Sequence, residues 1–412
     1  MKINSKLFYI ITFFSLSVHS AHASSCPDMA TGGYPHSNGG GFVASSATVA
    51  ATAIVTINAS VCESAVVSGN AIIDGEARVR GTALVEDNAI IKGKSLVYGN
   101  AHIKDNAVID HNSQIYGNAL IQNSSKALNN SQVYGNATLS GNAIVSGSAQ
   151  VSGMAQIQNS ARVYGHSRVF GNSIITNNAS VFENAYLNGY ISLSGKSKVS
   201  GSSQLYGKAT LSQSAQVSGN VYVNGTDVYI ADDAQVLGAA ILMNTVKVYG
   251  HALIFENSSL KDSVEVFGNA IVAGSVVIEN NAKVFDRAIV TGQLISNNAR
   301  VYGKAQIRDN VIVKDSAEVF GEALLADNVQ IKNTAKVYGQ AIMYENASAN
   351  SDGEVFENAQ IYGDAIISNG GRAHGNVTVY GTVIVSSDLD TGEHHFQNKK
   401  KIIGVKHESQ LY

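Results

Sequence analysis

A six-residue phrase, small–x–aliphatic–x–Gly–Asn, repeats almost without a break from Ala47 to Val385. Three successive units read Ala65-Val-Val-Ser-Gly-Asn, Ala71-Ile-Ile-Asp-Gly-Glu, Ala77-Arg-Val-Arg-Gly-Thr. There are 55 regular hexads, one seven-residue unit (Asp227–Asp233) and one five-residue unit (Leu294–Asn298). Position 3 is Val, Ile or Leu in 51 of the 55, the exceptions being Ala127, Met343, Ala349 and Ala373; position 1 is Ala, Ser, Gly or Val in all but Ile191. A period of six punctuated by glycine cannot be wound as an α-helix. Positions 1 and 3 lie two apart, so on a short strand they point the same way, while positions 2 and 4 point outward. Position 2 is accordingly polar or variable, as at Arg78, His102, Gln114, Lys283 and Glu318. Gly-Asn at positions 5 and 6 tolerates positive φ and is expected to turn the chain. Each hexad therefore reads as a strand and a corner, and the chain as an all-β solenoid.

A second period sets the number of hexads per coil. Tyr249, Phe267, Phe285, Tyr302, Phe320, Tyr338 and Phe356 all occupy position 4, 18 residues apart except for one step of 17 across the five-residue unit. Shorter columns are Tyr98, Tyr116, Tyr134 and Tyr344, Tyr362, Tyr380. Three hexads per coil predict a three-sided prism of about 19 coils, roughly 90 Å long at the ~4.8 Å spacing of stacked strands. Rings in one column then fall within the range favoured for aromatic pairs. The long column has two readings: a stacking platform for sugar rings or for a partner protein's apolar surface, and self-stacking that stiffens the rod, at about 0.2–1 kcal/mol per neighbouring pair. The second is favoured, and both can hold together.

The Val-Tyr-Gly-Asn-Ala wording at Val97–Ala101 and Val133–Ala137, with Val337…Ala341, resembles the hexapeptide-repeat, left-handed β-helix family. Within that family it is similar to the bacterial subgroup described as acyltransferase-like. The resemblance implies a left-handed triangular β-helix. For an enzyme of that family it also implies an inserted loop and a catalytic histidine near a subunit boundary. This chain departs from that pattern, since its coils carry no insertion longer than one residue. The histidines His102, His111, His166, His251 and His374 fall at outward or corner positions with no column in common. They read as surface residues.

The flanks and the composition narrow the rest. Residues 1–23 have the zones of a secretory signal: Lys2 and Lys6, the apolar Leu7–Val18, and Ala21-His22-Ala23 as a cleavage site. An anchor is the weaker reading, because a membrane-spanning helix needs about 20 apolar residues. Lipid attachment at Cys26 is also weaker, because Ala23-Ser24-Ser25 lacks the usual leucine. Export to the periplasm, outer surface or medium follows, and Cys26 and Cys62 are expected to form a disulfide there. Residues 24–46 then read as an N-terminal cap segment, 47–385 as the repeat and 386–412 as a C-terminal cap or tail. In that tail Ile402–Val405 would cover the last coil, and His394, His395 and His407 are a weak metal pattern. Charged residues make up only 14% of the chain, and losing Lys2 and Lys6 with the signal would take the formal charge from −3 to −5. No basic stripe is present, so nucleic acid is not an expected partner. Threonine is too scattered for an ice-binding array. The nine-residue calcium repeat, nucleophile motifs, the phosphate loop and HExxH are absent. Asn at position 6 (Asn70, Asn100, Asn118, Asn136, Asn142) is given a corner role and no ligand. Neither a cofactor, a metal nor a catalytic residue is predicted, and the leading expectation is an exported structural, adhesive or partner-binding rod. An acyltransferase-like enzyme with its site between subunits is the alternative.

Overall fold

The computed structural model describes Cys26, residues 32–390 and the backbone of residues 393–402. The signal segment 1–23, the stretch Ile403–Val405 and His407 lie outside the described residues, as do the side chains of His394, His395 and Ile402. Each hexad supplies a short strand at positions 2 and 3, and each strand pairs in parallel with the strand three units on. Leu96–Val97 lies on Gln114–Ile115, which lies on Gln132–Val133. The strands thus form three columns, called here the first face (His102–Ile103, Leu120–Ile121), the second (Val108–Ile109, Lys126–Ala127) and the third (Leu96–Val97, Gln114–Ile115). The result is a single all-β solenoid of about 19 turns with 18-residue spacing.

Backbone hydrogen bonds hold successive coils together. The N–H groups at positions 2, 4 and 6 donate to the next coil, as in Leu96 to Ser113 O (2.9 Å), Tyr98 to Ile115 O (2.9 Å) and Asn100 to Gly117 O (2.8 Å). Positions 1 and 3 fill the interior: Ala101, Ile103, Ala107 and Ile109 are all fully buried. Burying one such aliphatic side chain contributes about 1.5–3 kcal/mol, repeated at every unit. At most position-1 serines the hydroxyl turns back to the position-4 carbonyl three residues earlier, as Ser113 does to Asp110 O (2.7 Å). A buried polar atom is thereby satisfied. Ser131 instead donates to Ser113 Oγ (3.2 Å), and the buried Ser197 hydroxyl has no partner among the described residues. Met343 and Ala349, two exceptions at position 3, belong to the same coil, where an adaptable long side chain complements a short one.

The corners differ from expectation in one respect. Position 5 is left-handed, at Gly99 (φ 69°) and also at Asp105 (φ 60°) and Glu256 (φ 59°), whereas position 6 is left-handed only at exceptional corners such as Asn112 and Asn130. Asparagine recurs at position 6 for another reason. Its amide bonds to the same residue one coil on, as from Asn100 to Asn118 (3.1 Å) and from Asn118 to Asn136 (2.9 Å). Side chains at position 5 have their own task, because that N–H is not used in the coil-to-coil ladder. Asp105 accepts it from Asn123 (2.7 Å) and Glu256 from Gly274 (2.7 Å). Such charge-assisted bonds, about 1.5–3 kcal/mol each, offset the cost of about 1–2 kcal/mol for a non-glycine residue in the left-handed region.

Two irregular units are relocated by the structure. Val228 takes the inward place opposite Ala209, so the extra residue sits in the preceding corner, Thr226–Asp227. Leu294 pairs with Val277, so the shortening falls in the corner Thr291–Gln293 rather than in the strand that follows. In both cases the corner absorbs the change because a strand of fixed length must keep its register.

The solenoid also extends past both ends of the repeat. Phe42–Ala44 pairs in parallel with Ser60–Val61 and carries an antiparallel partner, Gly33–Pro35. The tail leaves the hexad phrase, yet residues 393–402 still pair in parallel with Thr378–Val385, with a register shift between Gly381 and Val383. Backbone pairing does not require the side-chain phrase.

Candidate functional site

The seven aromatic residues from Tyr249 to Phe356 form one column at the downstream edge of the first face. Ring centroids are 4.8–4.9 Å apart and adjacent planes are within 1–3° of parallel. The column does not end at Phe356: the imidazole of His374 stacks on it at 4.7 Å and 6°. Ring faces are thus covered by the neighbouring rings, and what the column shows to solvent is ring edges. A sugar stacks on a ring face, so this arrangement suits edge contact with an apolar protein surface better than sugar stacking.

Beside the rings, position 2 of the same face carries a column of charges: Lys247, Glu265, Lys283, Arg300, Glu318, Lys336, Glu354, Arg372 and Asp388. Neighbours pair, as in Lys283–Glu265 (3.1 Å), Arg300–Glu318 (3.3 Å) and Arg372–Glu354 (3.4 Å). Arg300 also lies over the Phe285 and Tyr302 rings, at 5.7 and 5.5 Å from their centroids, and Arg372 over Phe356 at 5.1 Å. The Tyr302 hydroxyl donates to Glu318 Oε2 (3.1 Å). Burial, reinforced by the Glu318 carboxylate, pushes the Tyr302 phenol up to about 12. Burial likewise raises Tyr249, with Glu265 adding to it, and Tyr338, with Glu354 adding to it. These tyrosines therefore stay neutral and the strip stays an apolar ridge beside a nearly balanced ion-pair column.

The shorter columns stack in the same way on other faces. Tyr98–Tyr116–Tyr134 runs along the third face (4.8 and 4.7 Å), and Tyr344–Tyr362–Tyr380 along the second (4.7 and 5.0 Å). Sequence reasoning missed a staggered series on the third face, Phe170, Tyr186, Tyr206 and Tyr222, because these residues alternate between positions 4 and 2 and share no period of 18. Their centroids lie 5.5–5.8 Å apart with planes 42–88° from one another. His374 was missed in a similar way. It stands 18 residues after Phe356, and a search for aromatic letters alone passes over it.

Four of the five coil histidines have a carboxylate partner. His102 meets Glu86 (2.7 Å), His111 meets Asp110 (3.0 Å) and His251 meets Asp233 (3.4 Å); His374 meets Asp388 (2.8 Å). Among the described residues no three His, Cys, Asp or Glu side chains are grouped so as to hold a metal ion. No helix of the described residues is long and apolar enough to cross a membrane. Cys26 is buried and disulfide-bonded to Cys62, with Cα atoms 5.8 Å apart, which ties the start of the described chain to the third face.

The sequence model of a family described as the YdcK beta solenoid repeat matches residues 113–126, 139–153 and 359–375. All three stretches lie within the coils and keep their hexad register. The match carries the architecture, a β-solenoid repeat protein, and does not extend to an acyltransferase-like subgroup. No curated protein sequence matches the chain.

Proposed function

We propose that this protein is an exported, non-catalytic β-solenoid rod that serves a structural or adhesive role through its outer faces. The observation that carries this reading is the long ridge Tyr249–Phe356 with its flanking ion-pair column, an ordered surface on coils that carry no projecting loop. Ring edges beside alternating charges complement a protein surface with an apolar stripe, so the partner on this face is a protein. The solvent-facing corners and the disulfide fit an oxidising, extracytoplasmic setting. The acyltransferase-like alternative asks for a histidine facing a donor cleft. The histidines of the coils instead lie on outer faces or corners, four of them against carboxylates.

Two measurements test the proposal on the full chain. Fractionation of expressing cells, with mass spectrometry of the recovered protein, should find it outside the cytoplasm, beginning at Ser24 and with Cys26 and Cys62 joined. A cytoplasmic, reduced chain that keeps residues 1–23 would overturn the exported rod. Titration with acetyl-CoA should leave the melting temperature unchanged, and a saturable rise would favour the enzyme reading.

A further inference from the structure

On the third face the prism changes shape. At most corners the strand stops, but Tyr186–Leu193, Gln204–Leu211 and Tyr222–Ile230 run unbroken from the third face into the first. Three successive corners are drawn out into continuous strand, pairing residue by residue from Tyr186↔Gln204 to Leu193↔Leu211. Glycine makes this possible: a Cβ on Gly189 would stand 2.3 Å from the Gly207 carbonyl oxygen, and one on Gly207 2.1 Å from that of Gly225. The drawn-out edge carries Tyr190, 65% exposed, and a closed ion pair between Lys208 and Asp227 (2.8 Å).

The staggered rings lie on the face that this edge widens. Each coil there holds one tyrosine and one amide, and their order alternates: Tyr186 with Asn188, Gln204 with Tyr206, Tyr222 with Asn224. The Asn188 and Asn224 amides donate to the Tyr186 and Tyr222 hydroxyls (3.3 Å each), and the Tyr206 hydroxyl donates to Gln204 Oε1 (3.1 Å). The Tyr186 and Tyr222 hydroxyls keep their own protons to donate outward, and Gln204 keeps its Nε2 donors. Rings tilted by 42–46° from their neighbours do not cover one another's faces as the parallel rings of the long column do. Rings at equivalent positions recur every second coil, about 10 Å apart at two strand spacings. No charged side chain lies among the six residues Tyr186, Asn188, Gln204, Tyr206, Tyr222 and Asn224.

We infer that this patch is a binding site for a neutral, extended polysaccharide lying along the solenoid axis. Uncovered ring faces take the apolar faces of pyranose units, and the interleaved amides and phenols meet their hydroxyls. A strand-like glycan advances two sugar units in a distance comparable to two coils, so alternate units meet equivalent rings. The six patch residues carry no charge, their charged neighbours being Arg168, in register with Tyr186, and the closed Lys208–Asp227 pair, so the patch selects an uncharged occupant. This rests on the reading of the chain as a rod that works through its outer faces, and it names a ligand for a patch separate from the long aromatic column.

The chain has 18 Tyr and no Trp, so tyrosine fluorescence reports stacking directly. Full-length protein is titrated with cellohexaose and chitohexaose, with a heparin hexasaccharide as the charged comparison. Saturable binding of a neutral hexamer, insensitive to salt, is expected. It should weaken at least tenfold in a Tyr186→Ser, Tyr206→Ser, Tyr222→Ser triple variant and stay within twofold in a Tyr302→Ser, Phe320→Ser, Tyr338→Ser variant. If the first variant loses its β-sheet circular dichroism, the corresponding Tyr→Phe triple replaces it, with a threefold or larger loss expected. The proposal is overturned if neither neutral hexamer binds, if only heparin binds, or if both triple variants weaken binding equally. It is also overturned if the first variant instead abolishes a dimer seen by sedimentation, since the patch then holds a second copy. Each failure leaves the exported-rod reading standing, because that reading is judged by location and N-terminus.

Discussion

At the residue scale, small chemical differences decide what each position of the hexad does. Position 5 alternates between glycine, which enters the left-handed region without strain, and acidic or amide residues that enter it and then accept the next coil's N–H. Asp105→Ala should therefore cost about 1–3 kcal/mol, losing both the accepted hydrogen bond and the residue's tolerance of positive φ. Urea unfolding of the variant checks this. The phenols supply a pH signature. Because Tyr302 titrates higher in the folded chain, at about 12 against 10.0, folding favours its neutral form. Its contribution is fully present below pH 10.0 and is lost as pH rises toward about 12. Melting curves across this window should show a steeper fall for the native chain than for Tyr302→Phe, while equal slopes would show that the phenol is not held by burial and Glu318.

Within one coil, the strand is rigid in register and the corner is where change is tolerated. Both irregular units follow this rule, with the extra residue at Thr226–Asp227 and the missing one at Thr291–Gln293. The drawn-out corners also account for the one large residue at position 1. Ile191 follows the corner opened at Gly189, is fully buried, and exceeds the Ala, Ser, Gly or Val found at every other position 1. Ile191→Ala should thus leave a cavity and cost about 2–5 kcal/mol, read as faster hydrogen exchange in Tyr186–Leu193 and its neighbours. Inside the long column a ring has two stacked neighbours, so Phe320→Ser should lose two contacts at about 0.5–1.5 kcal/mol each. The same substitution at the column's first ring, Tyr249, should lose only one, and comparison of the two denaturation midpoints gives the stacking contribution directly.

For the whole molecule, the backbone ladder joins each coil to the next and few contacts reach further, the Tyr134–Phe170 ring pair being one, so stability is close to a sum of local terms and opening begins at the ends. The Cys26–Cys62 bond clamps the upstream end. Cys62→Ser should weaken the first coils by about 2–5 kcal/mol and expose them to limited proteolysis, with coils beyond the drawn-out corners keeping their protection. The all-β class, the 18-residue coil, the inward and outward positions, and the face-to-face aromatic columns are all legible in the order of the residues. They are legible because a solenoid makes every long-range neighbour a fixed sequence offset, and Val97 meets Ile115 for the same reason that Val337 meets Val355. Features that depart from that offset emerge only once the coils are stacked. The straightened edge at Gly189, Gly207 and Gly225, the zigzag of Tyr186, Tyr206 and Tyr222, and the tail strand at residues 393–402 each depend on backbone geometry across several coils. A period shows where side chains of one column meet. It does not show that the corner opens at Gly189, Gly207 and Gly225 while Gly117 and Gly135, stacked in the same column, keep a closed one, and that opening joins two faces into the surface that carries the tilted rings.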